Sequence, residues 1–190
     1  YAVQVAAPDD EMMTLPIAID GKGNPVLSNR EFQIYYWIQF YDFMNAYGEY
    51  AYYFGLDYNT PLSQQDSLEE NHTWEQYFIK AAAQNFTENY ALAQLAYENG
   101  YEISDENAAT ADSGEFHEEA VSYGYDSGLD YIQANFGHGI DLAAYQDYLR
   151  LYYATSTYYN ELADAYEATI TDEDIAAHYD TNAASYLEKR

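Results

Sequence analysis

The sequence predicts an all-α fold, an irregular bundle of about five to six helices with a small N-terminal β-hairpin. Apolar side chains recur every three or four residues along most of the chain, as they do on the buried face of a helix. Capping residues precede several of these stretches, and a Gly-rich turn follows a short apolar run near the N-terminus. A hydrophobic content of 48%, with 18% aromatic residues, indicates a folded chain.

The N-terminal quarter contains a tail, a hairpin and the start of a helix. Residues 1 to 11 are small, polar and acidic, and we expect them to form a tether or tail. The segment MMTLPIAI predicts a strand that is confined to a sheet edge by Pro16. Across the Gly-rich turn, residues 25 to 27 are expected to pair with it.

The stretch IDGKGNPVLSNREF, residues 19 to 32, fits two interpretations. Counted from Asp20 it has the register of a calcium loop, which needs oxygen ligands at its third position and Gly at its sixth. Lys22 and Pro25 occupy those two positions, and both oppose cation binding. The alternative is a turn followed by a capping box made by Ser28 and Glu31, and this interpretation is favoured.

From Ser28 onward the period is helical. The first helix carries the densest aromatic stripe and is expected to be the central one. Thr73 with Gln76, and Thr171 with Asp174, are predicted to cap two later helices. The predicted helices cover residues 28 to 54, 73 to 99, 105 to 123, 127 to 136, 141 to 167 and 172 to 187.

Charge and composition exclude several functions. Thirty-three acidic residues against six basic ones give a net charge of −27, which repels nucleic acid and anionic lipid. No run of about 18 apolar residues is present, so no membrane insertion is expected. The sequence has no cysteine, which excludes disulfides and thiol chemistry.

Motifs for catalysis or metal binding are weak. Glu69 and His72 have the spacing of a di-iron ligand pair, but such a site needs a second pair and two further Glu residues. Asp174 and His178, four residues apart, are interpreted as a surface pair on a helix. The sequence contains no Gly-x-Ser-x-Gly elbow, phosphate loop or dinucleotide fingerprint. We therefore predict no catalytic residue, no metal and no cofactor for this chain.

The 25 tyrosines are the unusual feature of the composition. A tyrosine ring fills apolar space while its hydroxyl stays hydrated, so tyrosines suit both a half-exposed core and a peptide-binding surface. The sequence leaves both interpretations open. The candidate peptide-binding residues are Tyr35, Tyr36, Tyr47, Tyr152, Tyr153 and Tyr159.

The order of elements and two end motifs carry a family resemblance. A short strand, a Gly-rich turn and LSNREF open a long aromatic helix, a Phe136-Gly137 turn precedes another long helix, and ITDEDIAAHYDTNAASY closes the chain. This arrangement resembles the N-terminal chaperone region of the SurA/PrsA-like extracytoplasmic foldases, which is akin to the chaperone module of trigger factor. The motif residues are Ser28, Glu31, Phe32, Thr171, Asp174, Ile175, Tyr179 and Tyr186.

The resemblance implies a function and a location. It implies one helical chaperone domain over residues 1 to 190, secreted or tethered at the outer face of a bacterial membrane, which binds unfolded or extended polypeptides and catalyses nothing itself. In the family a parvulin prolyl-isomerase domain normally follows the closing helix. One alternative is therefore the N-terminal part of a parvulin-type isomerase whose catalytic domain lies beyond Arg190, and another is a surface protein-interaction module. The oligomeric state stays open.

The resemblance also implies how the chain ends meet. In the family the closing helix packs against the helix that follows the N-terminal turn. Ile175, Tyr179 and Tyr186 are therefore expected to contact the helix at 28 to 54, near Phe32 or Tyr36. Truncating either Ile175 or Tyr179 to Ala would then cost about 2 to 4 kcal/mol.

Overall fold

The computed structural model describes residues 10 to 113 and 117 to 186, and it confirms an all-α fold with a small N-terminal hairpin. The hairpin strands are β1 (Pro16–Ile19) and β2 (Pro25–Ser28), and two 3-10 segments cover Gly48–Phe54 and Leu62–Gln64. The α-helices are α1 (Asp10–Thr14), α2 (Asn29–Tyr47), α3 (Trp74–Glu98), α4 (Asp105–Ser113), α5 (His117–Ser122), α6 (Gly128–Phe136), α7 (Leu142–Glu167) and α8 (Asp172–Tyr186).

The chain segment before the hairpin is helical where a strand was predicted. Helix α1 ends at Thr14 and β1 begins at Pro16, so only the second half of MMTLPIAI is a strand. Met13 explains the difference, because its side chain is 2% exposed and its sulfur accepts a hydrogen bond from Gln33 Nε2 on α2 at 3.2 Å. A helical turn brings Met13 to α2, and the proline that follows ends it. Residues 1 to 9 of the predicted tail lie outside the described residues.

The hairpin turn is closed by Asp20. Its carboxylate accepts hydrogen bonds from the backbone N–H groups of Lys22 and Asn24, each at 2.8 Å, and from the Asn24 side chain at 2.8 Å. These bonds hold the pKa of Asp20 below its usual value, the Asn24 side chain contributing most. The Asp20 oxygens are thus occupied by N–H donors of the turn itself, as the turn interpretation requires.

Helix α2 begins with the predicted capping box and ends earlier than predicted. Ser28 Oγ accepts from Glu31 N at 3.2 Å, and Glu31 Oε2 accepts from Ser28 N at 2.7 Å. The helix stops at Tyr47 because Gly48 adopts a φ of 50°, and a 3-10 segment replaces the last predicted turns. The prediction of one α-helix over 28 to 54 was therefore wrong beyond Tyr47.

The later helices follow their predicted starts. Thr73 and Gln76 form the second predicted capping box, at the start of α3. Asp141 caps α7 by accepting from Ala144 N at 2.9 Å. The predicted helix over 105 to 123 corresponds to α4 and α5, and residues 114 to 116 between them lie outside the described part of the chain.

Three apolar clusters form the core, and α2 contributes to each of them. Phe43 packs with Trp74 and Phe78, Tyr35 packs with Phe86, and Ile34 packs with two isoleucines of the α6–α7 region, Ile132 and Ile140. Because α2 contributes buried side chains to all three clusters, the prediction that the first long helix is central is confirmed.

Candidate functional site

Three or more exposed tyrosines occur in each of two stretches of the described chain, and other exposed side chains such as Tyr97 and Tyr123 lie outside them. The first, which we name the tyrosine surface, consists of Tyr47, Tyr50, Tyr52, Tyr53 and Tyr58. The second, which we name the C-terminal surface, consists of Tyr159, Leu162, Tyr166, Ile170, Ile175 and Tyr179. A set of exposed aliphatic side chains also lies at the hairpin.

The tyrosine surface is centred on the 3-10 segment Gly48–Phe54, with Tyr47 before it and Tyr58 after it. Ala51 and Leu56 are buried, while the rings of Tyr50 and Tyr53 on the same segment are each 68% exposed. The Tyr53 ring lies 4.0 Å from the Tyr52 ring and 6.1 Å from the Tyr50 ring, measured between centroids. The Tyr50 and Tyr53 rings are stacked, the Tyr52 ring is tilted against Tyr53, and a shallow hollow of about 300 Å³ lined by Tyr52 and Tyr58 lies beside them.

The C-terminal surface begins where α7 leaves the core. Tyr158 is the last buried residue of α7, and every residue from 159 to 181 is exposed. Tyr159, Leu162 and Tyr166 are spaced by three and four residues, which places them on one face of the helix. This apolar stripe leads toward the turn between α7 and α8.

A hollow of about 560 Å³ lies at that turn. Its apolar wall is made by Tyr166, Ile170 and Ile175, and its polar lining by Thr169, Asp174 and His178. The hollow is therefore lined by the end of α7, the connecting turn and the first two turns of α8. It continues the stripe on α7, because Tyr166 belongs to both.

The turn that shapes the hollow is fixed by the predicted cap of α8. Thr171 Oγ1 accepts from Asp174 N at 3.2 Å, while Asp174 Oδ2 accepts from Thr171 N at 2.9 Å and from Thr171 Oγ1 at 2.6 Å. The Thr171 hydroxyl is the largest cause that lowers the pKa of Asp174. Asp174 therefore presents a negative charge in the hollow at neutral pH.

The charge of this surface has one sign. No Lys or Arg occurs from residue 151 to 188, and His178 is the one histidine of that stretch. Seven carboxylates fall within the exposed stretch from 159 to 181, namely Glu161, Asp164, Glu167, Asp172, Glu173, Asp174 and Asp180. An apolar stripe and hollow thus lie among exposed acidic groups.

The tyrosines predicted to bind peptides divide between the core and the surface. Tyr35 is 3% exposed and packs edge-on against Phe86 and Tyr148, with ring centroids 5.4 and 5.5 Å apart, so it has no ring surface to offer a peptide. Tyr36 is half-buried, and burial raises its pKa to about 12. Tyr47, Tyr152 and Tyr159 are exposed, and Tyr153 is half-buried. Tyr35 therefore belongs to the core, and peptide binding by the exposed tyrosines stays a prediction.

The closing motif forms its cap but does not join the core. Ile175 and Tyr179 are 59% and 57% exposed, so the prediction that they pack against α2 was wrong. The physical reason is the composition of α8, whose first turn is acidic and whose apolar face between residues 172 and 183 is only Ile175 and Tyr179 among small residues. The side chain of Tyr186 lies outside the described residues. At the other end, Phe32 is half-buried and packs beside Leu27 and Tyr35.

Glu69, which the sequence pairs with His72 at metal-ligand spacing, forms an ion pair with Lys80. Both carboxylate oxygens of Glu69 accept from Lys80 Nζ, at 2.9 and 2.8 Å. His72 Nδ1 lies 3.0 Å from the carbonyl oxygen of Glu70. Glu69 is thus held by an ammonium group on α3. Within the described residues, no group of three or more His, Cys, Asp or Glu side chains is arranged to hold a metal ion.

Comparison with protein-family models, with curated proteins and with solved structures found no match to this chain. The described helices include none that is long and apolar enough to cross a membrane. The described residues form an acidic and tyrosine-rich helical fold on which the tyrosine surface and the C-terminal surface are exposed.

Proposed function

We propose that this chain is a peptide-holding chaperone module, which binds unfolded or extended polypeptides and catalyses no reaction itself. The observation that carries the proposal is the exposure of large apolar side chains along the tyrosine surface and the C-terminal surface. Apolar side chains that stay in water do not contribute the favourable free energy that their burial would give. Contiguous exposed apolar patches therefore commonly mark interaction sites.

Tyrosine is suited to hold chains of varied sequence. Its ring packs against any apolar side chain, and its hydroxyl bonds to the carbonyl or N–H groups of an extended backbone. Rings such as Tyr50, Tyr53, Tyr159 and Tyr166 stand more than half exposed and need no rearrangement to make such contacts. Binding would therefore depend little on the client's sequence.

The caps of the two end motifs agree with the SurA/PrsA-like resemblance, whereas the exposed closing helix does not pack as that resemblance implies. The caps made by Ser28 with Glu31 and by Thr171 with Asp174 lie where the SurA/PrsA-like resemblance implies them. On that resemblance, the proposed location is extracytoplasmic, secreted or tethered at the outer face of a bacterial membrane. A catalytic domain in the same gene product would be a separate unit.

Suppression of aggregation tests the proposal. An unfolded secreted protein is diluted from denaturant into buffer with the chain at several-fold molar excess, and light scattering is followed at several salt concentrations. We expect less scattering than with an equally acidic protein that lacks exposed tyrosines. Equal scattering with both proteins would overturn the proposal.

A protein-interaction module is the second candidate. It is favoured by the ring contacts that Tyr53 makes with Tyr50 and Tyr52 on a segment whose Ala51 is buried, because a pre-formed surface suits one defined partner. Selection from a random peptide library separates the candidates. Many unrelated binders support the chaperone, and a single consensus sequence supports the interaction module.

A further inference from the structure

We propose that the C-terminal surface is the docking site for cationic amphipathic polypeptide segments, in which apolar residues are flanked by Lys or Arg. This inference rests on the proposed function and makes it specific in two respects. It assigns the binding to one of the two exposed surfaces, and it assigns a charge to the bound segment.

The apolar part of the site consists of a stripe and a hollow. Tyr159, Leu162 and Tyr166 share one face of α7, and seven residues of helix extend over about 10 Å. The stripe ends in the hollow of about 560 Å³ between Tyr166, Ile170 and Ile175. That volume lies within the range of small ligand pockets, about 300 to 1,000 Å³, and accepts one or two large apolar side chains. A segment lying along α7 would insert its anchor residue there.

The charge of the site selects cations. Seven exposed carboxylates lie between residues 159 and 181, and the sequence places no Lys or Arg from 151 to 188. Asp174 lines the hollow itself, and its bonds to Thr171 hold its pKa below the usual value. A bound Lys or Arg beside the anchor residue would therefore meet Asp174 in the lining of the hollow, and the other six carboxylates add to the negative potential around it. Potentials complementary in this way raise association rates and reject anionic partners.

The same charge argues against the other occupants of an exposed apolar face. A second copy of this chain also carries a net charge of −27, and its C-terminal surface presents the same carboxylates. An anionic lipid surface is repelled for the same reason. A neutral apolar segment would fill the hollow and leave the carboxylates without a counter-charge. A cationic amphipathic segment satisfies both features at once.

The charge selection is tested with three labelled peptides of equal length and identical apolar residues, whose flanks are Lys, Gln or Glu. Fluorescence anisotropy gives the dissociation constant of each peptide with the full chain at low and physiological salt. We expect the Lys peptide to bind at least about ten-fold tighter than the Gln peptide at low salt, and the difference to shrink as salt rises. Equal affinities of the Lys and Gln peptides would overturn the assignment of charge.

The location is tested with two matched double variants. Tyr166→Ser with Ile175→Ser removes apolar walls of the hollow, and Val121→Ser with Tyr123→Ser is the control at exposed side chains outside both named surfaces. All four side chains are more than half exposed, so both variants are expected to keep the fold, which circular dichroism checks. We expect the first variant to weaken binding of the Lys peptide about ten-fold or more and the control to leave it unchanged.

The outcomes separate this inference from the proposed function. If the Tyr166/Ile175 variant binds the Lys peptide as tightly as the native chain does, the location is wrong and the chaperone proposal stands. If the native chain fails to suppress aggregation, the proposed function falls independently of where peptides bind. If sedimentation shows a dimer that the Tyr166/Ile175 variant abolishes, a second copy is the occupant and the inference is overturned.

Discussion

Trp74 shows how aromatic packing stabilises the core at the scale of one residue. Its side chain is fully buried, and its ring lies 5.1 Å from Phe43, 5.2 Å from Tyr77 and 5.7 Å from Phe78. The indole Nε1 is also buried and has no hydrogen-bond partner. The contacts of the ring must therefore outweigh the cost of leaving that N–H unpaired.

This balance predicts different costs for two substitutions of Trp74. Trp74→Ala should lower the free energy of unfolding by about 3 to 5 kcal/mol, because it removes the ring and leaves a cavity. Trp74→Phe keeps most of the apolar contact and deletes an unpaired polar group whose burial costs about 1 to 3 kcal/mol, so it should cost less than half as much. Urea unfolding followed by circular dichroism measures both. Equal costs would mean that the indole N–H is satisfied after all.

Sequence reasoning succeeds for single residues where the cause is local. Ser28 and Thr171 were predicted as caps because capping depends on residues three apart, and both form those bonds. Tyr35 and Tyr47 show the limit. Both were predicted to contact peptides, yet the ring of Tyr35 is enclosed by Phe86 of α3 and Tyr148 of α7, while Tyr47 is 41% exposed. Helices that are distant in sequence decide which tyrosine is buried, so a short sequence pattern cannot predict the burial of an individual ring.

At the scale of the element, α8 should contribute little to stability. Because Ile175 and Tyr179 are exposed, Ile175→Ala and Tyr179→Ala should each change the free energy of unfolding by no more than about 0.5 kcal/mol. Ile132 is 1% exposed and provides the matched control, for which Ile132→Ala should cost about 2 to 5 kcal/mol. Chemical denaturation of the three variants decides the point. A cost near the control's for either α8 variant would show that this helix packs on the core in solution.

The start of α7 combines a cap with an ion pair. Asp141 accepts from Ala144 N through Oδ1, and its Oδ2 pairs with Arg30 on α2, whose side chain is 17% exposed. One carboxylate thus both caps α7 and ties it to the central helix. Substitution can separate the contribution of the cap from that of the ion pair with Arg30, because Asn retains the capping oxygen without the charge.

Two variants of Asp141 should therefore differ in stability. Asp141→Asn loses the ion pair and should cost about 0.5 to 1 kcal/mol, since the carboxylate is partly exposed. Asp141→Ala also loses the cap and should cost about 1 kcal/mol more. Thermal unfolding of both variants, repeated in high salt, measures the two contributions. If both variants lose the same stability, Asp141 does not act as a cap.

The element boundaries that sequence reasoning missed have physical causes. The aromatic period continues through Phe54, but the backbone of Gly48 at φ 50° breaks the α-helix in the middle of that pattern. Met12 and Met13 were predicted to start a strand because the run is apolar, and burial of Met13 against α2 makes the segment helical instead. The period of α7 was predicted correctly, yet a period cannot show that the helix extends past the core at Tyr158.

For the whole molecule, excess negative charge opposes the compact state. A net charge of −27 on 190 residues produces self-repulsion that is relieved when the chain expands. Added NaCl shortens the Debye length to about 10 Å at 0.1 M and about 3 Å at 1 M, so the melting temperature should rise steadily over this range. Scanning calorimetry, with a neutral osmolyte as the control, checks this. A melting temperature that falls with salt would show that attractive ion pairs such as Lys80 with Glu69 dominate.

High pH should unfold the molecule through its buried tyrosines. Burial is the main cause that raises the pKa of Tyr35 and of Tyr148 well above the usual range, and it raises that of Tyr36 to about 12. An unfolded tyrosine ionises near pH 10, so above that pH the unfolded chain binds fewer protons than the folded one. The stability that these hydroxyls contribute is therefore complete below about pH 10 and is lost as the pH rises through the folded-state values.

Tyrosinate absorbance and helical circular dichroism, followed together from pH 9 upward, test this expectation. We expect a cooperative step in absorbance above about pH 10 that coincides with the loss of helix. Tyr35→Phe keeps the ring against Phe86 and Tyr148 but removes one ionisable hydroxyl, so it should move the step to higher pH. Tyr50→Phe, at an exposed ring, is the control and should leave the step in place. If the helix signal survives the complete ionisation of all tyrosines, these rings are not enclosed in the core, and the packing of α2 against α3 and α7 would need revision.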